Sequence, residues 1–327
     1  MPKVQLSEIE ATVSTALKRH GALSWIADEV ARAIRKAEAI ENRICGLYYL
    51  ESYCKQLQSG RVKGDVEPIV TRGKPGTIQV DACFGFSQPA FARGLPVAVE
   101  AASDCGVASL AVSHAHTCTS LGFFTEQIAL EGLIGFGVTN ASPIVAPPGG
   151  KTRVIGTNPM AFSVPDGKGG LAMQFDQSTT TVALGKITMA KAACVDIPEG
   201  WALDAEGQPT TNPDKALLGS LVSMGGYKGW GLGLMAEILA ACLTGSAVSR
   251  HVKPLKAVNE PPHDLGQYYL LIDPGVSKEF FERLHVIEEG VRHDEATRIP
   301  GQGKREKNPV ELDHTVWEQT LTLAGMN

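Results

Sequence analysis

The chain of 327 residues is 43% hydrophobic and 20% charged, with a formal net charge of −5. No basic face dominates, which argues against a nucleic-acid partner, and the apolar runs fall short of the ~18 residues that a membrane span needs. Lys3, Glu8, Glu10 and Lys18 break up the first twenty residues in a way no signal peptide does, so a cytoplasmic protein is expected.

Ser7 followed by Glu10 predicts a capping box opening a helix that carries Ile9, Val13 and Leu17 on one face. A second helix is predicted over 24–42 and a third over 48–58, closed by Ser59-Gly60. Residues 66–82 read as extended, turning at Gly73, Pro75 and Gly76. A helix over 90–105 ends at Gly106, and a short strand over 107–113 runs into His114 and His116. A helix over 121–131 and a strand over 133–138 follow. Residues 143–165, rich in Pro and Gly, read as loop. A strand over 171–176, a helix from Gly185 and a loop at 204–209 lead to a glycine-rich stretch with an apolar run over 234–243 behind it. A strand over 267–273, a helix over 278–290, an exposed loop at 301–307 and a helix over 315–324 complete the chain. The pattern is mixed α/β without the regular alternation of a doubly wound fold.

Residues 225–234 hold five glycines and Lys228. Such a loop ahead of a helix suits an anion, either a phosphate or a carboxylate, and it equally suits a tight packed turn. Gly135-Phe136-Gly137 lies inside a predicted strand and has Asn140 where a third glycine belongs, so it is no dinucleotide fingerprint. His114 and His116 stand at a strand end, where imidazoles serve proton transfer. Asp176, with Ser178 and its neighbouring threonines, can bond a ribose, a phosphate or a substrate, or cap the next helix. Gly156-Thr157-Asn158-Pro159 offers a rigid turn. The seven cysteines form no C-x-x-C pair, so neither a disulfide framework nor a metal is expected.

These segments in this order resemble the malate/L-lactate dehydrogenase family that lacks a Rossmann fold. That family includes sulfolactate and ureidoglycolate dehydrogenases, diketogulonate reductase and the Δ1-piperideine-2-carboxylate/Δ1-pyrroline-2-carboxylate reductases. The matching pieces are Ala146-Pro147-Pro148-Gly149-Gly150, Gly156 to Pro159, Asp176 with Ser178, Gly185-Lys186, Pro209 to Pro213, Gly225 to Leu232 and Pro300-Gly301. The resemblance implies an NAD(P)-dependent oxidoreductase acting on a small molecule, and an intertwined homodimer. It also implies a mixed, largely antiparallel sheet of the sulfolactate dehydrogenase type with flanking helices. Residues 113–249 are expected to form the NAD(P)-binding unit, and 1–112 with 250–327 the substrate and dimerisation unit. NADPH or NADH is expected along His116, Thr117, Thr157, Asn158, Asp176, Ser178, Lys228, Gly229 and Gly301. Lys151, Arg153, Arg250 and Lys304 are candidates for a 2′-phosphate.

The family's Ser-His-Gly-x-x-Arg motif falls here on Ile44, Cys45, Gly46 and Tyr49. A tyrosine cannot reproduce a guanidinium fork on a carboxylate. Cys45, Tyr49 and Tyr53 are expected to line the substrate, with His116, Thr117 and Asp176 as proton-handling or orienting groups. A protonated cyclic imine is already electrophilic and asks less of an acid than a ketone does. That favours reduction of Δ1-pyrroline-2-carboxylate or Δ1-piperideine-2-carboxylate to L-proline or L-pipecolate. A malate- or lactate-type 2-hydroxyacid dehydrogenase and a catalytically silent nucleotide-binding protein are the alternatives.

Overall fold

The structure, a computed structural model, describes residues 1–303 and 305–326. After a two-residue strand β1 (Lys3–Val4) come helices α1 (Leu6–Arg19) and α2 (Ser24–Ala39). Ile9, Val13 and Leu17 on α1 and Ile26, Val30 and Ile34 on α2, each set spaced four apart, are buried in one cluster. The capping box does not form. The N-cap is Gln5, without a side-chain bond, and the Leu6 amide donates to Asn308 Oδ1 at 3.0 Å. The far end of the chain, paired with β1 through Val310 and Glu311, supplies the partner instead. Helix α2 stops at Ala39 rather than 42, because Glu41 takes φ 61° and the Asn42 amide turns back to the Ala37 carbonyl. Two single turns, Arg43–Cys45 and Leu47–Tyr49, lead into α3 (Leu50–Ser59).

Strands β2 (Ile69–Lys74) and β3 (Thr77–Asp81) precede α4 (Ser87–Cys105), β4 (Val107–Ala115), α5 (Gly122–Leu130) and β5 (Ile134–Thr139). Next come β6 (Met160–Pro165) and β7 (Leu171–Gln177). Strand β6 takes up the last six residues of the stretch 143–165, which was expected to be largely loop. Met160, Ala161 and Val164 are buried there, and the strand pairs antiparallel with both β5 and β7. Helix α6 (Leu184–Ala192) leads to a small sheet of β8 (Ala202–Leu203), β9 (Pro209–Thr210) and, after α7 (Pro213–Leu218), β10 (Ser220–Leu221), in the order β10-β8-β9. Helix α8 (Tyr227–Glu237), strand β11 (Leu265–Ile272), helix α9 (Phe280–Arg292), strand β12 (Val310–Glu311) and helix α10 (His314–Ala324) finish the fold.

The main sheet runs β2-β3-β4-β11-β5-β6-β7. Only β3 and β4 are parallel; every other pairing is antiparallel. This is the mixed, largely antiparallel sheet with flanking helices that the resemblance implies, not a Rossmann fold. Strand β11 arrives late in sequence and enters between β4 and β5. The glycine-lysine stretch also differs from its reading as a loop ahead of a helix. Only Gly225 and Gly226 are turned, with φ 60° and 65°, while Lys228 and Gly229 lie in the first turn of α8. Gly229 is there for contact: a Cβ would stand 2.1 Å from the Met224 carbonyl. Among the described residues no helix is long and apolar enough to cross a membrane.

Candidate active site

Strand β7 is one edge of the sheet, and four separate segments meet along it. The Gln174 amide donates to Pro300 O at 3.0 Å, which lays Gly301 on the strand. Gly301 has φ 87°, and a Cβ would meet the Gln174 backbone at 2.8 Å. The Asp176 carboxylate accepts from Ser120 Oγ at 2.9 Å and from the Gly122 amide at 2.8 Å. Just beyond β7, Ser178 Oγ bonds Thr180 Oγ1 at 2.9 Å. Thr179 donates to Thr157 O through both its amide and its hydroxyl. The Met224 amide closes onto Thr179 O at 3.0 Å, bringing in the start of α8. Thr157, Asp176, Ser178, Lys228, Gly229 and Gly301 therefore share one edge. Asn158 is buried beneath it, its Nδ2 donating to Gly233 O and Glu237 Oε2.

A cleft follows this edge in two adjoining parts of about 310 and 320 Å³. Asp176 and Ser120 line the first, Gly301 the second, and Lys36, Glu126 and Gln174 line both. Burial works against the charge of Lys36, but its bonds to Glu126 and Glu306 outweigh that and raise its pKa. Of the 2′-phosphate candidates, Arg153 is committed elsewhere, donating to the carbonyls of Gly219 and Leu217. Lys151 and Arg250 are exposed, and Lys304 lies outside the described residues.

A second centre forms behind α3. His116 is 2% exposed, and its Nε2 meets Gln56 Oε1 at 2.9 Å. The same oxygen accepts from Arg61 Nη1 at 3.1 Å. Arginine only donates, so the amide oxygen must face both groups, and His116 carries its proton on Nε2. Its Nδ1, a lone-pair acceptor, has no hydrogen-bond partner among the described residues. His263 stacks on it with ring centres 5.1 Å apart. Burial, aided by His263 and the Arg61 charge, holds His116 well below the usual imidazole range. Burial and Arg61 bring His263 down to about 4. Thr117 is half-buried, its carbonyl accepting from Ser87 Oγ. His114 does not join this centre; it pairs with Asp264 at 2.8 Å.

The turn carrying Ile44, Cys45 and Tyr49 connects the two centres. Gly46 is required at its bend, because a Cβ would run into the Glu38 carboxyl, which accepts from the Leu47 amide at 2.8 Å. Burial and the nearby Asp176 charge push the Cys45 thiol up to about 12. Burial, Cys45 and Tyr48 do the same for the Tyr49 hydroxyl. Tyr49 stacks on Tyr53 at 6.0 Å, and Tyr53 meets His116 edge-on at 5.5 Å. Cys45, Tyr49 and Tyr53 thus form a wall between Asp176 and His116. Tyr49 also lines, with Ile44 and Tyr48, a cavity of about 520 Å³. Gln56, Arg61 and His263 were not legible as site residues. The contacts that bring Gln56 to His116 and Arg61 to Pro261 span 60 and 200 positions in sequence, and no local spacing marks them.

The chain belongs to the malate/L-lactate dehydrogenase family, whose model matches residues 4–320. Like the family, it is an NAD(P)-dependent oxidoreductase. It is 37% identical over 299 residues to a (2R)-3-sulfolactate dehydrogenase (NADP(+)) of Chromohalobacter salexigens, covering 91% of this chain and 89% of that protein. It is 33% identical to a Δ1-pyrroline-2-carboxylate/Δ1-piperideine-2-carboxylate reductase of Pseudomonas putida, covering 99% and 96%. The crystal structure of Δ1-piperideine-2-carboxylate reductase from Pseudomonas syringae superposes with a TM-score of 0.91 at 28% identity, covering 99% of this chain and 100% of that one.

The residues along β7 fit a dinucleotide. The N-cap of α8 is Gly226, which has no side chain to cap the helix, and amides at an uncapped helix start suit a phosphate. A Cβ at Gly225 or Gly226 would meet nothing within 4 Å, which leaves that approach clear, and Lys228 adds a cation in the first turn.

Proposed function

We propose that this enzyme reduces a cyclic 2-imino acid, Δ1-pyrroline-2-carboxylate or Δ1-piperideine-2-carboxylate, to L-proline or L-pipecolate. The observation that carries this reading is the protonation of the wall between Asp176 and His116. Cys45 and Tyr49 are both pushed up to about 12, and His116 is held neutral with its one proton committed to Gln56. None of the three has the near-neutral pKa of an efficient acid or base for a hydroxyl or ketone oxygen. A protonated imine needs no such partner in the hydride step, because the nitrogen keeps its proton and becomes the amine. The bound nicotinamide supplies the hydride.

In this reading the Asp176 carboxylate, oriented by Ser120 and Gly122, offsets the iminium charge. Tyr49 and Tyr53 shape the ring site, Cys45 and Thr117 flank it, and His116 Nδ1 accepts a hydrogen bond. Thr157, Asn158, Ser178, Lys228, Gly229 and Gly301 hold the cofactor. The division of the chain into a nucleotide unit over 113–249 and a substrate unit from the remainder, the homodimer and the cytoplasmic setting belong to the same proposal. Steady-state oxidation of NADPH and NADH with Δ1-pyrroline-2-carboxylate, pyruvate and oxaloacetate tests it. Turnover of the oxo acids without the imine would overturn it.

The identity to a sulfolactate dehydrogenase supports a second reading, a 2-hydroxyacid dehydrogenase in which His116 is the acid/base. Activity on such substrates that survives His116→Ala counts against it.

A further inference from the structure

The cavity outside the Arg43–Cys45 turn is large for a five- or six-membered ring. Its volume of about 520 Å³ falls in the range that holds drug-sized ligands, about 300–1,000 Å³. Its walls are largely apolar: Ile44, Tyr48, Leu184, Met189, Leu255 and Val316. Lys256 lines it as well, with Nζ 3.9 Å from the centre of the Tyr48 ring and 5.7 Å from that of Tyr49. Among the described residues Lys256 forms no ion pair; the nearby Glu51 is taken by Lys55 at 2.7 Å. An ammonium resting on aromatic faces keeps its outer N–H donors free for an anion. Arg43, the other cation of the lining, is turned to the Glu311 carbonyl.

The position of Lys256 is imposed by the chain around it. Arg61, 3% exposed, donates to the carbonyls of Pro254, Leu255, Ala257 and Pro261. These bonds bracket Lys256 on both sides and fasten its loop to the residue that also fixes His116 through Gln56. The cation and the buried imidazole are therefore set by one guanidinium.

We propose that Lys256 is the substrate's carboxylate anchor, and that the substrate is a 2-imino carboxylate carrying a bulky apolar body, aryl-substituted or ring-fused. The carboxylate meets the ammonium beside Tyr48 and Tyr49. The apolar body lies against Ile44, Leu184, Met189 and Val316, where burial of its surface adds affinity. The proposal rests on the imino-acid reading of the site and specifies which imino acids it takes.

Titration calorimetry of the full chain in the presence of NADP⁺ tests it, using pyrrole-2-carboxylate and indole-2-carboxylate as planar probes. Indole-2-carboxylate is expected to bind at least about tenfold more tightly, from the added apolar area. Lys256→Met is expected to weaken both probes about 10- to 100-fold, and Lys256→Arg to stay within about threefold of the parent. NADPH binding, followed by fluorescence, stays unchanged in both variants, which separates anchoring from misfolding. Equal affinities in the parent and Lys256→Met, pyrrole binding as tightly as indole, or no binding of either probe would overturn the proposal. The imine turnover assay is read separately. Probe affinities as expected without imine turnover would sink the imino-acid reading and keep the anchor; imine turnover without a Lys256 effect would do the reverse.

Discussion

Burial has opposite consequences for the histidines and the thiols of this site. His263 is lowered to about 4 from an ordinary value near 6.5, so the folded state favours the neutral ring. The unfolded chain binds the proton first as the pH drops. Stability is therefore full above about pH 6.5 and falls as the pH goes from there to about 4, by up to about 3 kcal/mol. His263→Gln should flatten that part of the stability curve, measured by thermal melting at pH 7, 5.5 and 4.5; an unchanged slope would show that the ring does not titrate with folding. For Cys45 the same burial, with Asp176 beside it, favours the protonated thiol. With a pKa of about 12, roughly one thiol in ten thousand is ionised at pH 8. Iodoacetamide at that pH should label the exposed Cys105, Cys194 and Cys242 well before Cys45, as peptide mass spectrometry would reveal. Asp176 and His116 could be singled out from sequence because carboxylates and imidazoles at strand ends are recognisable by type and place. Gln56 could not: on a helix it reads as one more polar residue, and only the fold brings Arg61 and His116 to its oxygen.

At the scale of elements, α8 illustrates how glycine is misread. Five glycines in ten residues suggested a loop, yet only the first two are turned. Those within the helix differ among themselves, which gives two substitutions of opposite sign. Gly229→Ala drives a Cβ against the Met224 carbonyl and should cost about 1–3 kcal/mol. Gly231→Ala meets nothing within 4 Å and should stabilise by up to about 1 kcal/mol through helix propensity. Thermal melting of the pair measures both. Lys228→Ala, one residue before Gly229, should weaken NADPH binding about 3- to 10-fold by fluorescence titration, in line with one cation at a helix N-terminus. Helices such as α1 and α2 were legible because their buried residues keep a three-to-four spacing. The cap of α1 was not, since its partner Asn308 lies at the other end of the chain. Strand β6 was hidden by the Pro- and Gly-rich residues before it.

For the whole molecule, the decisive element is β11. It completes the sheet from within, bonded to β4 on one side and β5 on the other, with Tyr269 and Leu271 fully buried. The chain's ends also share a core, where Trp317 and Leu312 join Ile9 and Leu17. A chain ending at residue 263 loses both, so it should show no cooperative melting transition and should bind dye as an open sheet does. Composition argues against a nucleic-acid partner, but the order of strands was beyond it: β11 reads like any other apolar strand, and nothing local says that it belongs in the middle.

The late arrival of β11 also bears on how the protein is made. Until β11 has left the ribosome, β4 and β5 stand as two open strand edges in a nascent chain. The central part of the sheet can close only once residues 265–272 have been made. Until then those edges are open to pairing with a neighbouring chain on the same message, so the stretch of synthesis between β5 and β11 is where the sheet is most exposed to mispairing.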